Sequence, residues 1–165
     1  MNALAEILET IAHAPIEKRA ITNHNVLNEA YCYGKPSSFS RGMRIDIGEV
    51  TILLISGTAS IDENGQSVHI GDFRAQMRRT LANITGLLAS EGCTWHDIVR
   101  TTCYLRDIER DYEAFNEERT AFFKEQGLDP LPASTGIQAI LCRPELLIEI
   151  EAIAIFRNKR DSGKE

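Results

Sequence analysis

The sequence predicts an α+β domain in which a mixed β-sheet carries two helices on one face. Three observations lead there. Period-two apolar patterning recurs in MRIDI, in VTILLISG, from Ile98 to Leu105 and in the C-terminal run. Two long stretches between these show helical periodicity, and the order strands, helix, strand, helix, strands fits a sheet with its helices on one side.

Taken in order, Leu4, Ile7, Leu8 and Ile11 repeat at helical spacing and Pro15 would stop that helix. This gives an N-terminal helical extension over residues 1–34, ahead of a core at 43–156, within a single domain spanning 1–165. A polar stretch with Asn23, Asn25 and Asn28 leads into AYCYGKPSSFSRG, where Gly34, Pro36 and the serines predict a loop whose aromatic and basic side chains can line a pocket. MRIDI, a Gly48-Glu49 turn and VTILLISG read as a β-hairpin with a central second strand, and Asn64-Gly65 marks a tight turn. Asp72 caps a helix carrying Phe73, Met77, Leu81, Ile84 and Leu88 on one stripe until Gly92 ends it. Its other side holds Arg74, Arg78 and Arg79, a solvated face. After the strand Ile98 to Leu105, Asp111 is expected to open a second helix with Tyr112, Phe115 and Phe122 inward. Gly127 through Pro132 then returns the chain to two final strands.

Composition narrows the function classes. With 43% hydrophobic and 25% charged residues the chain has ordinary globular usage, which excludes disorder and collagen-like structure. A net charge of -6 with no clustered basic stripe argues against nucleic acid as a partner. No apolar run reaches bilayer-spanning length, and the acidic N-terminal segment lacks the basic start of a signal peptide, so a cytoplasmic protein without membrane contact is expected. Cys32, Cys93, Cys103 and Cys142 are spread out and contain no CxxC pair, so they read as reduced core thiols. His13, His24, His69 and His96 show no ligand spacing, and neither a metal nor another cofactor is expected.

The C-terminal run LPASTGIQAILCRPELLIEIEAIAIF sets Glu149 and Glu151 inside an apolar strand. Alternation places Leu147, Glu149, Glu151, Ile153 and Ile155 on one face and Leu146, Ile148, Ile150, Ala152, Ala154 and Phe156 on the other. Charges are rarely buried alone, so the glutamates are either paired, exposed at a subunit boundary or kept for acid/base chemistry. Both faces of this strand are largely apolar and only one is served by helices. The bare face is therefore expected to meet a copy of itself in a closed oligomer.

The ordered series SGTAS, GDFRAQMRRTLANITGLLASEGCTWHDIVRTTCYLRDI, YEAFNEERTAFF, PASTG and LLIEIEAIAIF resembles the RidA/YjgF family over about Met43 to Phe156. The resemblance implies a chorismate-mutase-like fold, a homotrimer packed around its threefold axis, and small-molecule sites in the clefts between subunits. The family's imine and enamine deaminases carry Pro-Ala-Arg-Ser where this chain has PASTG, so Ser134 stands where their carboxylate-binding arginine would be. Their pocket tyrosine falls near Phe39, and Gly136 replaces a thiol or hydroxyl residue. PASTG with CRPELLIEIEA, PSSFSRG and GTASI is more similar to the catalytic half of the chorismatases, which are about twice as long.

That resemblance makes Glu149 the acid that protonates an enolpyruvyl methylene, with a pKa raised by desolvation first and by Glu151 second. The competing reading pairs Glu149 with an arginine of the next subunit. Around it the resemblance and the loop chemistry collect Phe39 as a pocket wall rather than a plug under the loop, Gly57, Thr58 and Ala59 of GTASI, Asn116 as a pocket residue or a satisfied buried amide, and Ser134 and Thr135 as hydroxyl donors to a carboxylate or closers of a turn. Arg41 is either a carboxylate clamp or an exposed loop charge, and Arg143 either a surface or interface charge or a cleft residue. No Ser/His/Asp arrangement suggests a serine hydrolase. Two readings follow: an enzyme hydrolysing a small carboxylated enol ether, enamine or imine, and a non-catalytic trimer binding a metabolite or a protein. Ribonuclease activity, a label relatives have carried, is disfavoured by the acidic charge.

Overall fold

Alternating side chains build six strands that join in one sheet, and the computed structural model describes them within residues 16–158. The helix expected over Leu4 to Ile11 lies outside the described residues. In chain order the elements are β1 (Ile16–Ala20), β2 (Gly42–Ile47), β3 (Val50–Ala59), α1 (Phe73–Ser90), β4 (Ile98–Leu105), α2 (Ile108–Glu125), β5 (Ala133–Gln138) and β6 (Ile148–Arg157). The sheet order is β1-β2-β3-β6-β4-β5. Only β4 and β5 run parallel, because α2 crosses between them; every other neighbour is antiparallel.

Both helices cover one face, on which Leu53, Ile55, Ile148, Ile150, Ala152 and Ala154 are buried. Asp72 accepts a hydrogen bond from the Ala75 amide at 3.0 Å, and the expected stripe from Phe73 to Leu88 is in the core. The second helix differs from expectation. Its cap is Asp107, which accepts from the Arg110 amide at 3.0 Å, whereas Asp111 lies one turn inside, buried and paired with Arg110 at 2.5 Å. Ile108, which packs on the core, draws the first turn down and makes the earlier aspartate the cap. The buried stripe then runs through Phe115 and Phe123, leaving Tyr112 off it and 53% exposed rather than inward.

The polar stretch before the loop contains a strand the pattern did not announce. β1 is an edge strand with all five residues exposed, so IEKRA has no alternation to read, yet it ladders with β2 from Ile16 opposite Ile47 to Ala20 opposite Met43. The segment after it is built into the core: Ile21, Leu27 and Ala30 are buried, Val26 packs on the Cα of Gly86, and the Asn23 amide donates to the Gly86 carbonyl at 2.9 Å. Two cysteines also depart from the core assignment. Cys93 and Cys103 are buried, but Cys32 and Cys142 lie in connecting segments and are exposed; all four are free.

On the other face the ladders align Met43 with Leu54, Leu54 with Ile153, and Ile52 with Ile155. No described helix covers this face, and Leu54 and Ile155 are 41% and 44% exposed. Glu149 and Glu151 project from it, in the alternation expected for β6. β3 is irregular beside them: Ile55 pairs with Ala152 but Thr58 with Ile150, so β3 carries one extra residue and bulges at Ser56 and Gly57. The Thr58 hydroxyl, buried, closes the bulge by donating to the Ser56 carbonyl at 2.8 Å. Among the described residues no helix is long and apolar enough to cross a membrane.

Candidate functional site on the open sheet face

The bulge of β3 shapes the site. Gly57 presents bare backbone to β6, and a Cβ built there would stand 2.0 Å from Oε1 of Glu149, so the carboxyl lies directly over the glycine. Half-buried in this seat, Glu149 has no hydrogen bond or ion pair to any described residue. Burial pushes its pKa upward, and the neighbouring Glu151 charge adds to the shift. The order of causes is the one the sequence suggested.

Two more groups share the face. The register puts Tyr104 opposite Glu149 and Thr102 opposite Glu151. The Tyr104 hydroxyl donates to Oε1 of Glu151 at 3.1 Å, and burial followed by that carboxylate raises the phenol pKa. Glu151 thus has a donor and Glu149 has none among the described residues. Beside them an open cleft of about 350 Å³ is lined by Ser40, Met43, Leu54, Ser56 and Glu151. A carboxylic acid whose pKa is raised by burial, close to an open cleft, is suited to general acid chemistry.

A second group gathers where the aromatic loop meets the core. Arg41 is buried; its Nε donates to the Asn28 carbonyl at 2.7 Å, and its Nη2 donates to the Tyr33 hydroxyl. Arg143 donates to the Gly65 carbonyl at 2.9 Å and to the Ser67 hydroxyl at 3.1 Å. The two guanidiniums lie 5.0 and 4.9 Å from the centroid of the Tyr33 ring. Gly65, at φ +80, leaves room for that ring, which a Cβ would approach to 2.8 Å. Phe39 is 43% exposed with Arg41 over its ring at 5.5 Å. These arginines fasten the N-terminal segment to the domain. At the end of β3, Ala59 is buried and its carbonyl accepts from Asn83 at 3.0 Å.

A third group sits at the β5 edge. Ser134 pairs with Thr101 on the helix side of the sheet, opposite the face that carries Glu149, and accepts from the Thr101 hydroxyl at 3.0 Å. Thr135 is exposed and accepts from Arg100 at 3.1 Å. Asn116 donates to the Tyr112 carbonyl at 3.0 Å and accepts from Arg119 at 2.6 Å; Arg119 also donates to Ser134 at 3.1 Å. Within one chain, then, Glu149, Gly57 and the β3 bulge are together, while Asn116 and Ser134 are not with them. Sequence reasoning missed Tyr104 and Arg119. The alternation of Ile98 to Leu105 could have placed Tyr104 with Thr102, and Arg119 follows Asn116 by one helical turn. The arginines of α1 are occupied: Arg74 and Arg78 pair with Glu118 at 3.1 and 2.6 Å. No described group of three or more His, Cys, Asp or Glu is arranged to hold a metal ion.

Comparison with known proteins fits this geometry. Residues 36–156 match the family described as Endoribonuclease L-PSP. The 3-aminoacrylate deaminase RutC of Acinetobacter baylyi is 36% identical over 103 residues, covering 62% of this chain and 78% of the relative. A RutC family protein of Haemophilus influenzae is 32% identical over 111 residues, covering 67% and 82%. Among solved structures, the YjgF gene product of E. coli superposes with a TM-score of 0.68 at 27% identity, covering 84% of this chain and 99% of that one.

Proposed function

The chain belongs to the RidA/YjgF family, the Endoribonuclease L-PSP family of the match above, and from that premise we propose that it is a trimeric enzyme hydrolysing a small carboxylated enamine, imine or enol ether. The observation that carries this reading is the Glu149 carboxyl seated over Gly57, raised in pKa and without a partner among the described residues. The deaminase activity in the name of the A. baylyi relative favours an enamine among these substrates.

In an enamine the β carbon is nucleophilic. Protonated Glu149 gives it a proton, and the electron pair of the C=C bond forms the new C–H bond and leaves an iminium carbon. Water attacks that carbon while the Glu149 carboxylate takes up the released proton, and collapse of the carbinolamine expels ammonia and leaves a carbonyl. An enol ether such as chorismate follows the same path: methylene protonation, an oxocarbenium-like centre, water attack, and release of pyruvate and an alcohol. Ser134, in place of the deaminase arginine, keeps the chorismatase-like form of the reaction as the second candidate.

The trimer rests on the open face, whose apolar ladder of Met43, Leu54, Ile153 and Ile155 asks for cover. A neighbouring copy packed there brings its own β5 edge toward Glu149, uniting groups that lie on opposite faces within one chain. The test is product release by the purified protein from chorismate and from an enamine, with Glu149→Gln in parallel. Pyruvate or ammonia lost in the variant is the expected result, and full turnover by Glu149→Gln sinks the role. If neither product forms while a metabolite raises the melting temperature, the non-catalytic binding trimer replaces the enzyme.

A further inference from the structure

Most described arginines meet a carboxylate, as Arg19, Arg44 and Arg74 do, or are spent on backbone carbonyls, as Arg41 and Arg106 are. Arg100 and Arg119 do neither; among the described residues their hydrogen-bond partners are neutral side chains, Thr135 for Arg100 on the open face, and Ser134 with Asn116 for Arg119 on the helix side. In a chain of net charge -6, a cation left without an acid beside a strand edge, as Arg119 is, offers a local anion site.

We propose that Arg119, with Ser134 and Asn116, forms a subsite for a small carboxylate at the β5 edge. It deepens the reading given above, since a carboxylated substrate needs a cationic anchor, and the donors of Arg41 already hold the N-terminal segment while those of Arg143 hold Gly65 and Ser67. The guanidinium is held in one plane by three contacts: the Phe115 ring at 4.5 Å from its Cζ, Asn116 Oδ1 at 2.6 Å and Ser134 Oγ at 3.1 Å. Asn116 is itself fixed, because its amide donates to the Tyr112 carbonyl at 3.0 Å. Ser134 accepts from both Thr101 and Arg119 and lies against the Cys103 sulfur. The remaining guanidinium N–H groups are donors only, on a pre-positioned fork, which matches the two oxygens of a carboxylate. The buried Cys103 thiol alongside also feels the charge, since Arg119 opposes the upward push of burial on its pKa.

The experiment measures binding without turnover. Pyruvate is titrated against the full chain by calorimetry and thermal unfolding, with pyruvamide as the uncharged comparator. Wild type is expected to bind pyruvate, and pyruvamide at least about tenfold more weakly, because the charge-assisted bonds are gone. Arg119→Ala should lose at least about tenfold in affinity while keeping its ligand-free melting temperature, and Arg119→Lys should recover only part, since it keeps the charge without the fork. Undiminished binding by folded Arg119→Ala overturns the subsite, as does pyruvamide binding as well as pyruvate, or no pyruvate binding by wild type. If Arg119→Ala does not fold, Arg119→Lys binding like wild type overturns the fork geometry. Arg119-dependent binding in a protein that turns over neither chorismate nor an enamine leaves the subsite standing and removes the enzymatic reading, so the two failures are separable.

Discussion

Glu91 and Glu149 are both withdrawn from solvent next to the same sheet, and the fold treats them in opposite ways. Glu91, at the C-terminal cap of α1, receives both terminal nitrogens of Arg19 at 2.9 and 2.6 Å and Nη1 of Arg44 at 3.2 Å. A carboxylate is unfavourable at the negative end of a helix, so these cations offset the dipole and the loss of water together. The same pairs bind β1 and β2 to α1. Glu149 receives no cation from any described residue, and burial first and the Glu151 charge second raise its pKa. The chain thus supplies counter-charges to Glu91 and none to Glu149 among the described residues, and the proposed acid chemistry rests on that difference.

The largest effects test each side of that contrast. Replacing Glu149 with Gln is expected to lower turnover by about 10²–10⁴-fold, the range for a lost general acid, with no loss of stability, because no structural partner is removed. Product release and a melting curve on the same sample decide it. The complementary change, Glu91→Gln, leaves Arg44 buried beside a weakened partner set and is expected to cost about 3 kcal/mol in denaturant unfolding. Turnover per folded molecule should not change. A stable Glu91→Gln or an active Glu149→Gln would erase the distinction between the two residues.

Much of this contrast was legible before the structure. Glu149 stood out because a charge inside an apolar alternating strand needs a reason, and the α1 stripe followed from Asp72 and helical spacing alone. Other parts depend on pairings that no single segment encodes. β1 is an edge strand whose residues all face solvent, so it carries no alternation. Asp107 and Asp111 are both plausible caps in sequence, and only the packing of Ile108 chooses between them. The β3 bulge is a property of register against β6, and Arg119 meets Ser134 only because α2 carries the chain across to a parallel β5. Arg41 read as a free clamp because its partners, Asn28 and Tyr33, come from a loop that the pattern left unfolded.

Gly57 offers a finer probe. In Gly57→Ala the new Cβ collides with Oε1 of Glu149, the far end of a flexible side chain, so the fold can yield by turning the carboxyl away. The expected result is a fall in turnover of about 10–100-fold, as for an acid displaced by an ångström or so, with a change in stability below about 1 kcal/mol. A loss of stability as large as that of Glu91→Gln would instead make Gly57 and Glu149 part of the architecture.

The smallest effect is a pH dependence with a definite sign. Burial raises the Glu149 pKa above its value in the unfolded chain. Between the two values the folded protein holds a proton that the unfolded chain has released, so stability falls as pH rises from the ordinary carboxylate range through the folded pKa. Below the unfolded pKa both states are protonated and the term vanishes. Glu149→Gln cannot release that proton, so the difference in unfolding free energy between variant and wild type should grow in the variant's favour across that window and then level off. Glu91→Gln keeps the Glu149 term and should retain the wild-type slope there. Denaturant titrations of the three proteins at several pH values read this directly; a Glu149→Gln curve parallel to wild type would mean that the Glu149 carboxyl meets a counter-charge in the assembled protein, returning it to the role of Glu91.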